Sequence, residues 1–379
     1  MGIAQYLRPL PAVAASASVR GPLTIGTPPA IPWPSQGKAG LLVEGLGEIG
    51  TSGGAGPAPM ASTAKIMTAL LTLEAHPLAA GQPGPLITVS RADVANFYAE
   101  RNQNESVVPV VSGEQLSEYQ LLEGLLLPSG SNFADMLANW DAGTVALFTD
   151  RMNQRALALG MTATHYADSS GFSPATVSVP SDLLKLARAA MAQPVFATIV
   201  AEKQATIPVA GAIKNLDTLL GQNGIIGIKT GHTDQAGGCF VMAADLTADG
   251  QPVRVYGAVL GQPGELAGAF GATLALIAAL APALHSRPIT TRGDIVGRFE
   301  TAWGEVGTIV TASAVAWVLE DGTSIRRRVV LTPLSSALPA GSRVGTLELD
   351  GPGHHALVAL LTSTAINGPD LGWRLTRGF

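Results

Sequence analysis

Helical periodicity stops at about residue 286 of this 379-residue chain, and that change constrains the possible folds more than any other feature. Before it, apolar residues recur at helical spacing, for example over 62–74, 115–127 and 181–191. After it, short Val, Ile and Leu runs alternate with Gly-Asp, Asp-Gly and Pro-Gly turns, which is typical of antiparallel strands. A chain this long also exceeds one ordinary hydrophobic core. The sequence therefore predicts a separate all-β domain over residues 286–379.

The part that precedes this domain divides once more. Residues 1–38 are rich in Pro, Ala and Ser, which predicts an extended lead-in. Residues 39–285 combine the helical segments with strand candidates, so they predict one domain with both helices and a sheet; the strand candidates are 39–44, 225–229, 239–244 and 253–260. The uncharged stretch 266–284 is dominated by Ala and Gly, and this low hydrophobicity favours a core helix over a membrane span.

Composition excludes several classes of function. The 23 basic and 28 acidic residues are mixed along the chain, so no basic block indicates a nucleic-acid partner. Cys239 is the single cysteine, which precludes an internal disulfide and predicts a buried strand residue. The six histidines are scattered without metal-ligand spacing, so we expect neither a metal site nor a cofactor.

The first motif with chemical meaning is Ser62-Thr63-Ala64-Lys65, at the start of an apolar helical segment. Spacing of i and i+3 places the Ser62 hydroxyl and the Lys65 amine on one helical face. A serine hydroxyl becomes a good nucleophile only when a base takes its proton, and a neutral amine can be that base. Apolar neighbours lower the pKa of a lysine by desolvation. Taken alone, however, such a tetrapeptide is more often an ordinary surface pair.

Two further motifs follow along the chain. Pro128-Ser129-Gly130-Ser131-Asn132 forms a predicted turn between two helices, and by itself it reads as a helix stop followed by an N-cap. Lys229-Thr230-Gly231-His232 ends a predicted strand, where a cation and a hydroxyl could hold a carboxylate. Gly231 would let a peptide backbone approach that strand closely.

The three motifs together, in this order on helix start, turn and strand, resemble the penicillin-binding protein and serine β-lactamase superfamily. The chain is most similar to the low-molecular-weight D-alanyl-D-alanine carboxypeptidases, also through Met161–Gly171 and Gly227–Thr233. The resemblance implies an α+β fold of the β-lactamase/transpeptidase type, with an antiparallel sheet flanked by helices in the penicillin-binding domain 39–285. It also implies a serine peptidase that removes the terminal D-alanine from peptidoglycan stem peptides and is inhibited by penicillin.

The same resemblance implies a role for each motif residue. Ser62 would be the acylated nucleophile and Lys65 its general base, while Ser129 would relay a proton to the leaving D-alanine. Lys229 and Thr230 would hold the substrate carboxylate, and Gly231 would admit its backbone. The backbone N–H groups of Ser62 and His232 would form the oxyanion hole. The family usually has Asn where this chain has Ser131, so either Ser131 substitutes for it or Asn132 reaches the site.

Alternatives remain at this stage. A class A β-lactamase needs a glutamate between the second and third motifs, and residues 124–201 contain none. Transpeptidase or endopeptidase activity would use the same residues, and a scaffold or sensor could have lost activity through the change at Ser131. The expected partners are stem peptides ending in D-Ala-D-Ala and β-lactams; the sequence leaves the oligomeric state open. Such a substrate predicts an extracytoplasmic, membrane-associated protein. Since residues 1–11 make no convincing signal peptide, we expect the signal or anchor to lie outside this chain.

Overall fold

The computed structural model describes residues 2–377, and their side chains from residue 5 onward. The helices of this part of the chain are α1 Gly2–Leu7, α2 Lys65–Ala75, α3 Arg91–Asn102, α4 Glu118–Leu126, α5 Ser131–Ala142, α6 Val145–Ala158, α7 Pro180–Met191, α8 Pro194–Val200, α9 Glu265–Leu280 and α10 Leu371–Thr376. Short 3-10 turns span Ala61–Ala64 and Ala281–Ala283.

The strands of the first 280 residues are β1 Ala14–Ala17, β2 Leu23–Thr24, β3 Lys38–Val43, β4 Gly47–Ser52, β5 Ala58–Pro59, β6 Leu86–Thr88, β7 Gln115–Ser117, β8 Val177–Ser178, β9 Gln204–Ile207, β10 Gly211–Lys214, β11 Ile225–Thr233, β12 Gly237–Ala248 and β13 Gln251–Gln262. The later strands are β14 Leu284–Thr290, β15 Ile295–Glu300, β16 Val306–Thr311, β17 Val315–Glu320, β18 Ser324–Leu331, β19 Arg343–Gly351 and β20 His354–Thr362.

The chain divides into two compact units, of which residues 30–281 form the larger one. Its centre is a five-stranded antiparallel sheet in the order β11-β12-β13-β3-β4. Helix α9 packs against β12 and β13, while α7 packs against β3 and β13. The predicted α+β fold, an antiparallel sheet flanked by helices, is confirmed.

Helix α2 lies at the centre of the helical part of this unit. It contacts α4, α5 and α7, and nearly every residue from Lys65 to Leu73 is buried, because the segment is apolar on all sides. One prediction needs correction here: the helix was expected to start at Ser62, but a 3-10 turn precedes it and the α-helix begins at Lys65. The helix predicted to begin at Gln115 begins instead at Glu118, because Ser117 and Gln120 form a capping box there.

The smaller unit combines residues 1–29 with 282–379. Its described part is a seven-stranded sheet in the order β1-β15-β16-β20-β19-β18-β2, with β14 paired to β17. The C-terminal strands that the sequence predicts are present. The segment 1–38, predicted as an extended lead-in, instead contains α1, β1 and β2. β1 pairs with β15 and β2 with β18, so the N-terminal segment supplies both outer strands of this sheet.

Helix α9 carries the uncharged stretch noted in the sequence. Within the described residues, the helical segment Glu265–Ala283 is the one single helix long and apolar enough to cross a membrane, and α7 with α8 would pass the same test only as a sharply bent pair. Ala269, Thr273 and Leu276 are buried on the side that faces the sheet, whereas Ala267 and Ala275 are exposed. The predicted core helix is therefore buried on one face only.

Candidate active site

The first motif is held where the 3-10 turn meets the edge strand of the sheet. Ser62 is partly exposed, between the buried residues Ala61 and Thr63. Ala61 has φ of 48°, a left-handed conformation that non-glycine residues rarely adopt and that persists only where the surroundings enforce it. The turn packs against β11, and a Cβ on Gly231 would lie 2.8 Å from the Ser62 nitrogen. The first and third motifs are thus in direct backbone contact.

Lys65 is fully buried and donates three hydrogen bonds. Its Nζ lies 2.8 Å from Ser62 Oγ, 3.0 Å from the Ser170 carbonyl oxygen and 3.3 Å from Ser131 Oγ. Burial lowers the pKa of Lys65 to about 8, against the opposing effect of nearby carboxylates, chiefly Asp168. An amine with this pKa is neutral in a substantial fraction of molecules near neutral pH, so it can accept the Ser62 proton.

Lys229 is the second buried amine of the site. It lies on β11, is 1% exposed, and its Nζ donates to the Thr230 carbonyl at 3.0 Å. Burial and then the charge of Lys65 hold the pKa of Lys229 well below its ordinary value, while Asp217 opposes them. An anion bound beside Lys229 would restore its charge, so the site is electrostatically prepared for a carboxylate.

The second motif places its three polar residues in different environments. Ser131 begins α5 and touches Lys65. Ser129 is buried with φ of 69°, and its hydroxyl has no hydrogen-bond partner among the described residues. Asn132 exchanges two hydrogen bonds with the Val108 backbone. Of the two sequence alternatives, the geometry thus favours Ser131 as the residue in the site.

Asp168 organises the segment that presents the Ser170 carbonyl to Lys65. Its carboxylate accepts hydrogen bonds from the backbone of Gly171 and Ser173 and from the Thr176 hydroxyl, at 2.5–3.0 Å. Ser170 Oγ adds a longer one at 3.3 Å. Asp168 therefore shapes the loop, and it acts on Lys65 through its charge and not through a direct hydrogen bond.

A cleft of about 340 Å³ lies over these residues. Ser62, Ser131 and His232 line it, together with Phe172 and Glu105. Of the predicted site residues, Lys65, Lys229 and Thr230 are buried, as are Ser129, Gly231 and Asn132. Glu105 and the Ser170 carbonyl were not predicted. Ser170 lies in the stretch Met161–Gly171 noted in the sequence, but neither it nor Glu105 belongs to the three motifs, because only the folded chain brings them to the site.

Within residues 2–377, no group of three or more His, Cys, Asp and Glu side chains could hold a metal ion. Cys239 is buried on β12, as predicted, and burial raises the pKa of its thiol to about 12. A thiol that stays protonated at neutral pH is a poor nucleophile.

Comparison with known proteins agrees with this geometry. The family described as D-alanyl-D-alanine carboxypeptidase matches residues 55–264, just over half of the chain. The chain belongs to this family. The match includes all three motifs and stops before the smaller unit's C-terminal part, which begins at residue 282.

Individual members of the family are similar at moderate identity. The chain is 41% identical over 196 residues to D-alanyl-D-alanine carboxypeptidase DacB2 of Mycobacterium tuberculosis, covering 49% of this chain and 62% of that protein. It is 34% identical over 200 residues to a D-alanyl-D-alanine carboxypeptidase of a Streptomyces strain, covering 48% of this chain and 67% of the relative. The chain thus spans about two thirds of the length of these two relatives.

Solved structures extend the comparison. The crystal structure of a Streptomyces DD-transpeptidase superposes with a TM-score of 0.55 at 28% identity, covering 69% of this chain and 98% of that one. The D-alanyl-D-alanine carboxypeptidase DacD from Francisella tularensis covers 92% of this chain and 97% of its own, with a TM-score of 0.63. At 20% identity, the second likeness concerns the fold alone.

Proposed function

We propose that this protein is a serine-type D-Ala-D-Ala carboxypeptidase that removes the terminal D-alanine from peptidoglycan stem peptides through an acyl-enzyme on Ser62. The observation that carries the proposal is the 2.8 Å contact between Ser62 Oγ and Lys65 Nζ, in a site where burial lowers the pKa of Lys65 to about 8. A nucleophile in contact with a base that is neutral near the working pH is what acyl transfer requires. The family to which the chain belongs supports the same reaction.

Acylation would proceed as follows. Ser62 Oγ attacks the carbonyl carbon of the penultimate D-alanine while Lys65 Nζ takes the hydroxyl proton. The backbone N–H groups of Ser62 and His232 receive the oxyanion that forms. The C–N bond then breaks, and Ser129 relays the proton held by Lys65 to the leaving amine of the terminal D-alanine, which leaves Lys65 neutral again. The buried, unpartnered hydroxyl of Ser129 suits this role, because a bound amine would supply its missing partner.

Deacylation returns the enzyme to its first state. Water attacks the ester carbonyl while Lys65 takes one of its protons. Lys65 passes this proton to Ser62 Oγ as the ester C–O bond breaks, and the shortened peptide leaves as a carboxylate after its acid proton goes to solvent.

Specificity for a terminal carboxylate would come from the third motif. Lys229 is buried and lacks a carboxylate counterion within hydrogen-bonding distance in the described structure, so the substrate's terminal carboxylate would provide one. Thr230 lies beside it on β11 and would add a hydroxyl donor. Because β11 is the last strand of its sheet, a peptide backbone can also approach that edge past Gly231.

Labelling with penicillin tests this function against the two alternatives. A carboxypeptidase should gain the mass of one intact penicillin on Ser62, keep it for many minutes, and release D-alanine from a peptide ending in D-Ala-D-Ala. Ser62→Ala should do neither. An adduct that disappears within seconds with hydrolysed penicillin as product would instead indicate a β-lactamase. A folded protein that does not label at all would be a scaffold or sensor.

The proposed substrate also sets the place of action. Stem peptides of peptidoglycan lie outside the cytoplasmic membrane, so the protein acts there, in the periplasm or at the cell surface. β-Lactams would be its inhibitors, because they mimic the D-Ala-D-Ala end and keep their leaving group tethered. Cell fractionation of the producing bacterium, followed by detection with a fluorescent penicillin, tests the location.

A further inference from the structure

Glu105 is an acidic residue in the cleft to which the proposed reaction assigns no role. It lies on the connection from α3 to β7, where Asn104 adopts φ of 61°. The Glu105 N–H donates to the Glu100 carbonyl at 3.1 Å, and the next residue, Ser106, accepts the N–H of Ser131 at 2.7 Å. The backbone on both sides of Glu105 is therefore fixed to the helices that surround the active site.

This anchoring places the Glu105 carboxylate next to the second motif. Glu105 is half-buried and lines the same cleft as Ser62 and Ser131. The Ser131 hydroxyl lies near enough to the Glu105 carboxyl to lower its pKa as a hydrogen-bond donor, and it accepts a hydrogen bond from Lys65 Nζ at 3.3 Å. A hydroxyl can donate and accept at the same time, so Ser131 is placed to link the carboxylate to the ammonium.

Other charged groups also face Lys65, but they are engaged differently. The carboxylates are Asp168, Glu100 and Asp135, besides Glu105, and the cation is Lys229. The Asp168 carboxylate accepts hydrogen bonds from the backbone of its own loop, and the Asp135 carboxylate accepts hydrogen bonds from Ser169 and Asn96. Burial raises the pKa of Glu100 to about 8, which leaves it largely uncharged at neutral pH.

Among these carboxylates, Glu105 is thus the one connected to Lys65 through one intervening side chain, that of Ser131. Burial also raises its pKa, but the Ser131 hydrogen bond and the charge of Lys65 oppose that effect and favour the ionised form. Nucleophile, base and an orienting acid are the three parts that a Ser-His-Asp site combines.

We propose that Glu105 is the positioning residue of the Ser62–Lys65 pair and acts through Ser131. This inference rests on the proposed function. When Ser62 attacks, its proton passes to Lys65 Nζ, and the charge of the new ammonium is balanced by Glu105 across the Ser131 hydroxyl. No proton moves to Glu105. The carboxylate holds the amine in line with Ser62 and makes it a stronger base.

The test is the pH profile of acylation by a fluorescent penicillin, measured for the full chain and for Glu105→Gln. The variant keeps the length of the side chain and an oxygen for Ser131 but loses the charge. Because the carboxylate raises the pKa of Lys65, its loss should move the acid limb to lower pH. The plateau rate should nevertheless fall about ten-fold, less than the about 10²–10⁴-fold that a proton-transferring group itself contributes.

A matched control is Glu48→Gln, which removes the same charge from an exposed position on β4. It should leave both the acid limb and the plateau unchanged. Labelling of the unmodified protein at Ser62 is the separate criterion for the proposed function. If that labelling occurs and Glu105→Gln has an unshifted acid limb or an undiminished plateau, the role of Glu105 is refuted while the function stands.

The link through Ser131 has its own test. In a Ser131→Ala background, Glu105→Gln should change the plateau by no more than about two-fold, since the path between carboxylate and amine is already cut. A full ten-fold loss in that background would overturn the proposed route. Should Glu105→Gln fold poorly, as judged by its Tm, Glu105→Asp decides instead: its shorter side chain keeps the charge, so the acid limb should stay while the plateau falls, and an unchanged plateau would refute positioning.

Discussion

Asn132 and Val108 are joined by two hydrogen bonds of 2.9 Å, one from each residue to the other. The Asn132 side-chain amide donates to the Val108 carbonyl, and its oxygen accepts the Val108 N–H. Both residues are buried. The adjoining Ser131 contacts Lys65. Of these two neighbouring residues in one motif, Asn132 therefore anchors the loop that carries Val108, and Ser131 contacts the general base.

Substitution of Asn132 should therefore mainly lower stability, whereas substitution of Ser131 should mainly slow acylation. Asn132→Ala leaves a buried N–H and a buried carbonyl without partners, which should lower the free energy of unfolding by about 3 kcal/mol. Ser131→Ala should change it by less than about 1 kcal/mol, yet slow acylation more than Asn132→Ala does. Urea unfolding and penicillin labelling of both variants measure this. If Asn132→Ala abolishes acylation in a folded protein and Ser131→Ala does not, the assignment of Ser131 to the site is wrong.

The rate of acylation should depend on pH through the ionisation of Lys65, the proposed general base. Lys65 must be neutral to accept a proton, and its pKa is lowered to about 8. The acylation rate should therefore fall about ten-fold per pH unit well below pH 8 and level off above it. Ser62→Ala and Lys65→Ala should each abolish labelling, and the double variant should be no worse than either single one, since the pair works as a unit. A flat profile from pH 5 to 9 would exclude Lys65 as the titrating group.

The motifs could be located from the sequence because each depends on short-range spacing. Ser62 and Lys65 are brought together by the local turn, and the strand that carries Lys229 is apolar and ends in glycine. The lowered pKa of Lys65 follows from the sequence as well, because the apolar residues around it desolvate the amine.

Glu105 could not be found in this way, because its place depends on long-range contacts. Asn132 and Ser131 hold the segment 106–108 from 24 residues away in sequence or more, and nothing near Glu105 signals that attachment. The N-terminal strands were missed for the same reason. β1 has four residues, and its partner β15 starts at Ile295, so only the folded chain reveals the pairing.

Glu118 should make stability depend on pH. It is buried at the start of α4, and both carboxylate oxygens lack hydrogen-bond partners among the described residues. Burial raises the pKa of Glu118 from 4.5 to about 7, so the folded protein holds a proton there that the unfolded chain releases above pH 4.5. The free energy of unfolding should therefore fall as pH rises from about 4.5 to 7 and stay reduced above that range.

Glu118→Gln tests this contribution, because it keeps the shape and cannot ionise. Relative to the unmodified protein, the variant should gain about 2–3 kcal/mol between pH 5 and pH 8, measured by urea unfolding at both values. The exposed Glu48→Gln should show the same difference at both pH values. An equally constant difference for Glu118→Gln would mean that Glu118 is ionised throughout.

The contact between Gly231 and the Ser62 turn should make the third motif intolerant of a side chain. A Cβ at residue 231 would lie 2.8 Å from the Ser62 nitrogen and 3.1 Å from the Thr63 nitrogen, both backbone atoms that cannot move aside cheaply. Gly231→Ala should therefore push the turn away from β11 and misalign the N–H groups proposed to bind the oxyanion. Since removing one such donor costs about 10²–10³-fold in rate, we expect acylation to slow by at least about 10²-fold.

The matched control is Gly271→Ala on α9, where a new Cβ meets nothing within 4 Å. Glycine is the weaker helix former, so this variant should be more stable by about 0.5–1 kcal/mol and acylate at the unmodified rate. Circular dichroism and Tm would establish that Gly231→Ala still folds, which separates a displaced turn from a lost structure. A well-folded Gly231→Ala that acylates normally would show that this close approach does not set the geometry of the Ser62 N–H.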